Sequence, residues 1–302
     1  MAGISGVINV YKPKGITSHD VVYKLRRILS IKKIGHTGTL DPDAEGVLPM
    51  CVGRATKTAD MLTASDKEYL ARVTLGSATD TQDASGEVVA SVNMDEFKVT
   101  EVDIKSAADE FVGDIEQIPP MFSAIKVGGK KLYELARQGV EIERKPRPVR
   151  IDKIEISDCE PDTEAIHKFS MRVACTKGTY IRTLCHDIGE RLGCHAHMSG
   201  LVRTRSGRFG VEESFTLEQI AEMYESGDLS FLTTVDKVFE EFDAVTIGDK
   251  ATKMMTNGVR VHAPQNTEEG KTYRVYDRAG KFLTISKREN DRLTILKTFY
   301  QD

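Results

Sequence analysis

Residues 168–193 read KFSMRVACTKGTYIRTLCHDIGERLG, and a change of rhythm inside them sets the class of fold. Phe169, Met171, Val173 and Cys175 alternate with mostly polar neighbours, the period of a strand with one buried face. From Ile181 the apolar residues recur as Ile181, Leu184, Ile188 and Leu192, the stripe of a helix, and Gly193 stands where a helix stops. A strand that feeds straight into a helix predicts a mixed α+β body.

Working outward, GVINVYKP reads as a short strand ended by Pro13 and Gly15. Thr17 and Ser18 then cap a helix with Val21, Val22, Leu25, Ile28 and Leu29 on one face, and Lys24, Arg26 and Arg27 lie mainly off it. KEYLARVTLG places Tyr69, Ala71, Val73 and Leu75 on one face of a strand. A turn-rich TDTQDASG follows, and Val102 to Gly113 is expected to be helical. IPPMFSAIKVGGKKLYELARQG is a loop with Pro119-Pro120 and Gly128-Gly129, followed by a short basic helix bearing Tyr133 and Arg137. Residues 211–240 read as acidic helices joining two bodies, and VRVHAP, KTYRVYDRAGKFLTISKR and RLTILKTFY as a small β-rich module. The expected division is a body over 1–240 and a module over 241–302, with no internal repeat or low-complexity segment.

Of the 302 residues, 40% are hydrophobic and 29% charged, the balance of a globular chain with a real core. No stretch approaches the roughly 18 apolar residues of a membrane span, and MAGISGVINVYKPKG lacks the basic-then-apolar pattern of a signal peptide. Five cysteines at irregular positions argue against a disulfide framework. Together these features predict a cytoplasmic protein.

The net charge of −4 hides a segregation. Residues 1–57 carry nine Lys and Arg against four Asp and Glu, residues 126–150 eight against three, and residues 177–208 six against two. Residues 211–243 reverse the balance, with ten acids against Lys237. Such runs are either solvated faces or, if the basic ones converge, a polyanion-binding surface on an acidic body.

The chemistry centres on GHTGTLDPDAEGVLPMCVGRATK, residues 35–57. Asp41-Pro42 is a common start to a β-turn, and the acids Asp41, Asp43 and Glu45 superficially suggest a calcium loop. Position twelve from Asp41 is Val52, which cannot supply the bidentate ligand such a loop requires. Cys185, His186, Cys194, His195 and His197 also miss the paired spacing of zinc ligands. Asp41 therefore reads as a turn-former or as a catalytic acid: the polar, sterically open His36, Thr37, Gly38 and Thr39 lead to it, and the apolar LPMCVG after it anchors the loop on a core element. A neighbouring cation and exclusion of water would suit such an acid to act as nucleophile or base.

The motifs VYKPKGITSHDVV, GHTGTLDPDAEGVLPMCVGRATK, KEYLARVTLG with TDTQDASG, IPPMFSAIKVGGKKLYELARQG, GTYIRTLCHDIG and LVRTRSGRFG occur in the order of one family. Over nearly its whole length the chain resembles the TruB family of bacterial tRNA pseudouridine synthases, which isomerise the uridine at position 55 of the TΨC arm. That resemblance implies an α+β pseudouridine synthase core, with a mixed or antiparallel sheet and flanking helices, followed by a small β-rich PUA-like RNA-binding domain. It implies that Asp41 is the catalytic aspartate, that Tyr69 stacks on the base and that Arg182 ion-pairs with Asp41. His36, Tyr180 and Leu201 would line the pocket of the flipped nucleotide, Lys12, Pro13 and Thr39 would lie at the cleft, and residues 119–150 would form a thumb closing on the T-loop. LVRTRSGRFG lacks the second basic residue that the family pattern leads one to expect at Val202.

An isomerisation that gains and loses no atoms needs no cofactor and no metal, only a carboxylate, an extruded base and a dry pocket. A bidentate arginine suits the carboxylate, Tyr69 offers a π-face and Leu201 an apolar wall. Phosphate neutralisation supplies much of the affinity for RNA, so Lys130, Lys131, Arg137, Arg144, Lys145, Arg147, Arg150, Arg203, Arg205 and Arg208 are expected on the RNA face. The expected partner is the T-arm of tRNA, bound by a monomer without a membrane or an obligate protein partner. Two other readings are an RNA-binding or tRNA-folding module with little catalysis, and a relative working inside a guide-RNA particle.

Overall fold

The computed structural model describes residues 4–162 and 165–300. A ten-stranded sheet, counted over those residues, runs in the order Leu232–Thr233, Gly6–Lys12, Glu45–Val52, Ala196–Ser206, Lys67–Leu75, Ala165–Cys175, Arg147–Asp162 and Gly113–Gln117, with Ile34–His36 and Phe209–Gly210 as side branches. Its pairings are antiparallel except at one step, where Ala196–Ser206 lies parallel to Glu45–Val52, with Val202 opposite Glu45 and Arg203 opposite Gly46.

Sequence pattern follows from how many faces each strand buries. Along Gly6–Lys12 and Glu45–Val52, Ile8, Val10, Leu48 and Met50 enter one core, and Val7, Val47 and Cys51 enter another on the opposite face, so both strands are almost continuously apolar. On Lys67–Leu75 and Ala165–Cys175, Tyr69, Ala71, Val73, Leu75, Phe169, Met171, Val173 and Cys175 face a core at every second position, which explains the alternation. The helix Ile181–Leu192 covers that core with Ile181, Leu184 and Ile188, and ends at Gly193 with φ +74°. The helix Ser18–Leu29 begins at Thr17, whose hydroxyl and Asp20 close a capping box, and buries Val21, Val22, Leu25 and Leu29.

Two expectations change. The acidic stretch is not a connector: Leu217 and Ile220 of the helix Leu217–Glu225 share a core with Val21, Val22 and Leu25, and Leu232–Thr233 extends the sheet beside Gly6–Lys12. The helix expected over Val102–Gly113 spans Glu101–Asp109, capped by Thr100 and Asp103, and Gly113 opens an edge strand instead.

Residues 118–146 form an excursion from the sheet. They leave after Gln117 and return at Arg147, which pair with each other, and contain the hairpin Lys126–Val127 with Lys130–Lys131 and the short helix Leu132–Ala136. A second sheet, in the order Asp243–Thr246, Thr272–Tyr276, Phe282–Glu289, Arg292–Thr298 and Val261–His262, carries its own core with Met255 of the helix Asp249–Thr256. It joins the body through Ile285 and Phe299, packed with Val7, Val47 and Cys51, and through a hydrogen bond from Arg54 to the Phe299 carbonyl at 3.0 Å.

Candidate active site

Asp41 begins a tight turn in which the Ala44 N–H donates to the Asp41 carbonyl at 3.1 Å and Pro42 and Asp43 occupy the middle positions. The loop is tied down from all sides. Gly15 N–H donates to the Pro42 carbonyl at 2.9 Å, and Ser18 Oγ bonds both the carbonyl and the N–H of Leu40. Leu40 itself is buried.

Two buried cations complete the hold, and both correct the sequence reading. Lys12, expected at the substrate, is fully buried, and its ammonium donates to the carbonyls of Pro13, Pro42 and Ala44 at 2.9, 3.0 and 2.7 Å. Burial lowers its pKa to about 8, against the opposing pull of Glu45, Asp43 and Asp41. Arg203, expected on RNA phosphate, is 2% exposed and donates to the Val47 carbonyl at 2.6 Å and to the Thr39 and Gly38 carbonyls at 3.5 Å. A buried cation requires such acceptors, so neither side chain is free for RNA. Gly46 permits this approach: its φ is +99°, and a Cβ there would lie 2.3 Å from the Arg203 carbonyl oxygen.

The Asp41 carboxylate is left half exposed, with 49% of its side chain accessible, 3.7 Å from the Arg182 guanidinium. Arg182 is itself 7% exposed and lies closer to Asp83, at 3.2 Å. It also donates to the Phe122 carbonyl at 2.5 Å, and its guanidinium centre lies 5.9 Å from the Tyr180 ring centroid. Asp83 and Phe122 were not singled out from sequence, although they lie in TDTQDASG and IPPMFSAIKVGGKKLYELARQG. The Asp83 carboxylate accepts from Thr81 and Ser85; burial would raise its pKa, but these bonds and Arg182 bring it below the ordinary range. An acid followed two residues on by serine is the signal that could have marked this anchored turn.

Tyr69 and Leu201 each touch two of the cores, so they line the seam where these meet, and in the sheet Tyr69 pairs with Arg203. Burial raises the Tyr69 phenol pKa, Asp41 adds to the rise and Arg203 opposes it. His36 is half buried, and its Nδ1 accepts from the Gly38 N–H at 3.3 Å. Burial and Arg203 lower its pKa, so the neutral ring dominates at pH 7. Tyr180 precedes the helix of Arg182, and Thr39 is exposed on the Asp41 loop.

Lys130 and Arg137 are exposed on the excursion, Lys131 is partly so, and Arg147 is exposed at the strand position where the chain returns to the sheet. Lys131 and Arg137 stand 5.3 and 5.4 Å from the centre of the Tyr133 ring. Arg205 is half buried and donates to the Gly207 carbonyl at 3.2 Å, while Val202 sits in the strand opposite Leu70. Among the described residues no three His, Cys, Asp or Glu side chains are grouped to hold a metal ion. No helix among them is long and apolar enough to cross a membrane.

Residues 26–181 match the model of the TruB family pseudouridylate synthase N-terminal domain, and residues 182–244 match that of the tRNA pseudouridylate synthase B C-terminal domain. A tRNA pseudouridine synthase B of Bacillus cereus is 48% identical over 258 residues, covering 85% of this chain and 84% of that protein. One from Bacillus cytotoxicus is 44% identical over 298 residues, covering 97% and 96%. Among solved structures, a Cbf5-Nop10-Gar1 complex matches with a TM-score of 0.73 at 30% identity, covering 98% of this chain and 85% of that one. An H/ACA RNP bound to a substrate RNA containing 2′-deoxyuridine matches with a TM-score of 0.72 at 28% identity, with the same coverage. Family models that run on from residue 26 to residue 244, together with relatives this similar over nearly the full length, place the chain in the TruB family of pseudouridylate synthases.

Proposed function

We propose that this protein isomerises uridine to pseudouridine at position 55 in the T-loop of tRNA, with Asp41 as the catalytic carboxylate. The observation that carries the proposal is the combination at Asp41: a half-exposed carboxylate on a turn whose backbone is immobilised by Lys12 and Arg203, facing the guanidinium of Arg182. Holding a reacting group in one geometry is what makes a lone carboxylate effective, because the orientational cost is met in folding rather than at each turnover.

The reaction breaks the N1–C1′ bond of uridine, turns the uracil and rejoins it through C5, with the C5 proton released and N1 protonated. The uridine must leave the stack of the T-loop, and the seam lined by Tyr69 and Leu201 offers it a π-face and an apolar wall. His36, Tyr180 and Thr39 border the same opening in this proposal. Residues 119–150 act as a thumb whose exposed Lys130, Lys131, Arg137 and Arg147 meet phosphates, and the 241–302 module acts as a PUA-like RNA-binding domain. The protein works alone, as a monomer without a guide RNA. In support, relatives named tRNA pseudouridine synthase B reach 44–48% identity, against 28–30% for the solved chains of Cbf5 and H/ACA particles.

The test is to incubate the pure protein with a bare T-arm transcript in EDTA and to map pseudouridine by mass after selective derivatisation. One product at position 55 is expected. No product without guide RNA, or product at another uridine, would contradict the proposal.

A further inference from the structure

We propose that Gln117 is a positioning residue that ties the placement of the thumb to Arg182, and through it to Asp41; this rests on the function proposed above. Gln117 is the last residue before the thumb leaves the sheet and pairs with Arg147, the residue at which it returns, so it sits at the root of the excursion. Its side chain reaches instead toward the neighbouring helix. It is 3% exposed, and its carboxamide makes two bonds to one residue: Tyr180 N–H donates to Oε1 at 2.8 Å, and Nε2 donates to the Tyr180 carbonyl at 2.9 Å. The orientation of the amide is set by this pairing, since only its oxygen can accept and only its nitrogen can donate.

Tyr180 is the residue at which the helix Ile181–Leu192 begins, and Arg182 is in the first turn of that helix. The Tyr180 carbonyl also accepts the helical bond from Leu184 N–H at 3.1 Å, so Gln117 fixes the start of the helix rather than a loose loop. Arg182 bonds back to the thumb at the Phe122 carbonyl. Gln117 and Phe122 therefore bracket the buried Pro119-Pro120 step and grip the helix start at two points, one on backbone and one on the guanidinium. With Asp41 at 3.7 Å and Asp83 at 3.2 Å, a small displacement of Arg182 changes which carboxylate it serves. A thumb seated on RNA holds its root, and the root holds Arg182 in register with Asp41.

The test uses full-length Gln117→Met, which keeps the shape and removes both bonds, and reads single-turnover pseudouridine formation, T-arm affinity and melting temperature. Expected is a rate loss of about tenfold or more, the scale of two buried hydrogen bonds, with affinity little changed and the fold intact. On an Arg182→Met background the same change should add almost nothing, because both act through one group. Gln117→Glu adds a pH readout: a protonated carboxyl reproduces the donor-acceptor pair and the carboxylate does not. Burial at this 3% exposed position raises the pKa of the introduced carboxyl, so the rate of this variant relative to wild type should recover as pH falls from about 8 to about 6. An unchanged rate in Gln117→Met, a full additive loss with Arg182→Met, or a flat pH ratio for Gln117→Glu would overturn the proposal. Asp41→Asn measured alongside keeps the two ideas apart, since its activity bears on the function and not on Gln117.

Discussion

At the scale of single residues, Lys12 and Arg203 show how a charge can serve a site without facing the substrate. Both were counted among basic residues for RNA or substrate, because residue type says nothing of depth, and both lie beneath the Asp41 turn with backbone carbonyls as partners. Replacing Lys12 with Met takes the ammonium from three carbonyls, of which that of Pro42 keeps the Gly15 N–H, so a loss of about 1–3 kcal/mol in urea stability is expected, with a large fall in turnover. The pH dependence has a definite sign. Lys12 is lowered from 10.5 to about 8, so its buried ammonium costs stability below about pH 8. Between those values the unfolded chain holds a proton that the native one has released, and this contribution to stability rises with pH. Loss of that proton removes a donor from the turn, so activity should decline above about pH 8 while urea stability does not follow it down. Parallel pH series of single-turnover rate and urea midpoint check this. A joint decline would contradict it.

At the scale of elements, most of what was legible depended on one-sided burial. The stripe of Ile181, Leu184 and Ile188, the alternation of Phe169 to Cys175 and the Thr17 cap declared themselves because each is a local pattern. Asp83 did not, because its meaning lies in Arg182, and the turn that holds it looks like any polar turn. The acidic run also misled, since Leu217 and Ile220 occupy its inner face and its charges occupy only the outer one. Thr17→Ala should cost about 1 kcal/mol by removing the helix cap, with little effect on chemistry. Gly46→Ala should damage both stability and turnover, because the added Cβ forces apart the one parallel pairing of the main sheet among the described residues, next to Asp41. Thermal melts beside single-turnover rates separate the two variants; equal effects would contradict this account.

At the scale of the whole molecule, the main sheet and the C-terminal sheet are built into one framework. The strands of the second sheet announce themselves as short alternating runs, but the packing of Ile285 and Phe299 on Val7, Val47 and Cys51 joins residues too far apart in sequence for any local pattern to reveal it. Removing residues 243–302 should therefore lower the melting temperature of the body as well as its RNA affinity; an unchanged melt would show that the module is only tethered. On the excursion over residues 118–146, if it is the proposed RNA-binding element, Lys130→Ala and Arg137→Ala should weaken T-arm binding and flatten its salt dependence by about 0.7–0.9 in log–log slope per lost phosphate contact, measured by titration across salt concentrations.

All of these arrangements converge on one half-exposed carboxylate, so the most direct measurement is of Asp41→Asn. Release of tritium from C5-labelled uridine in a T-arm transcript should vanish in this variant, while the transcript binds within about twofold of wild type, because amide and carboxylate have nearly the same shape and Lys12 and Arg203 hold the turn by its backbone. Undiminished tritium release from Asp41→Asn would contradict the account.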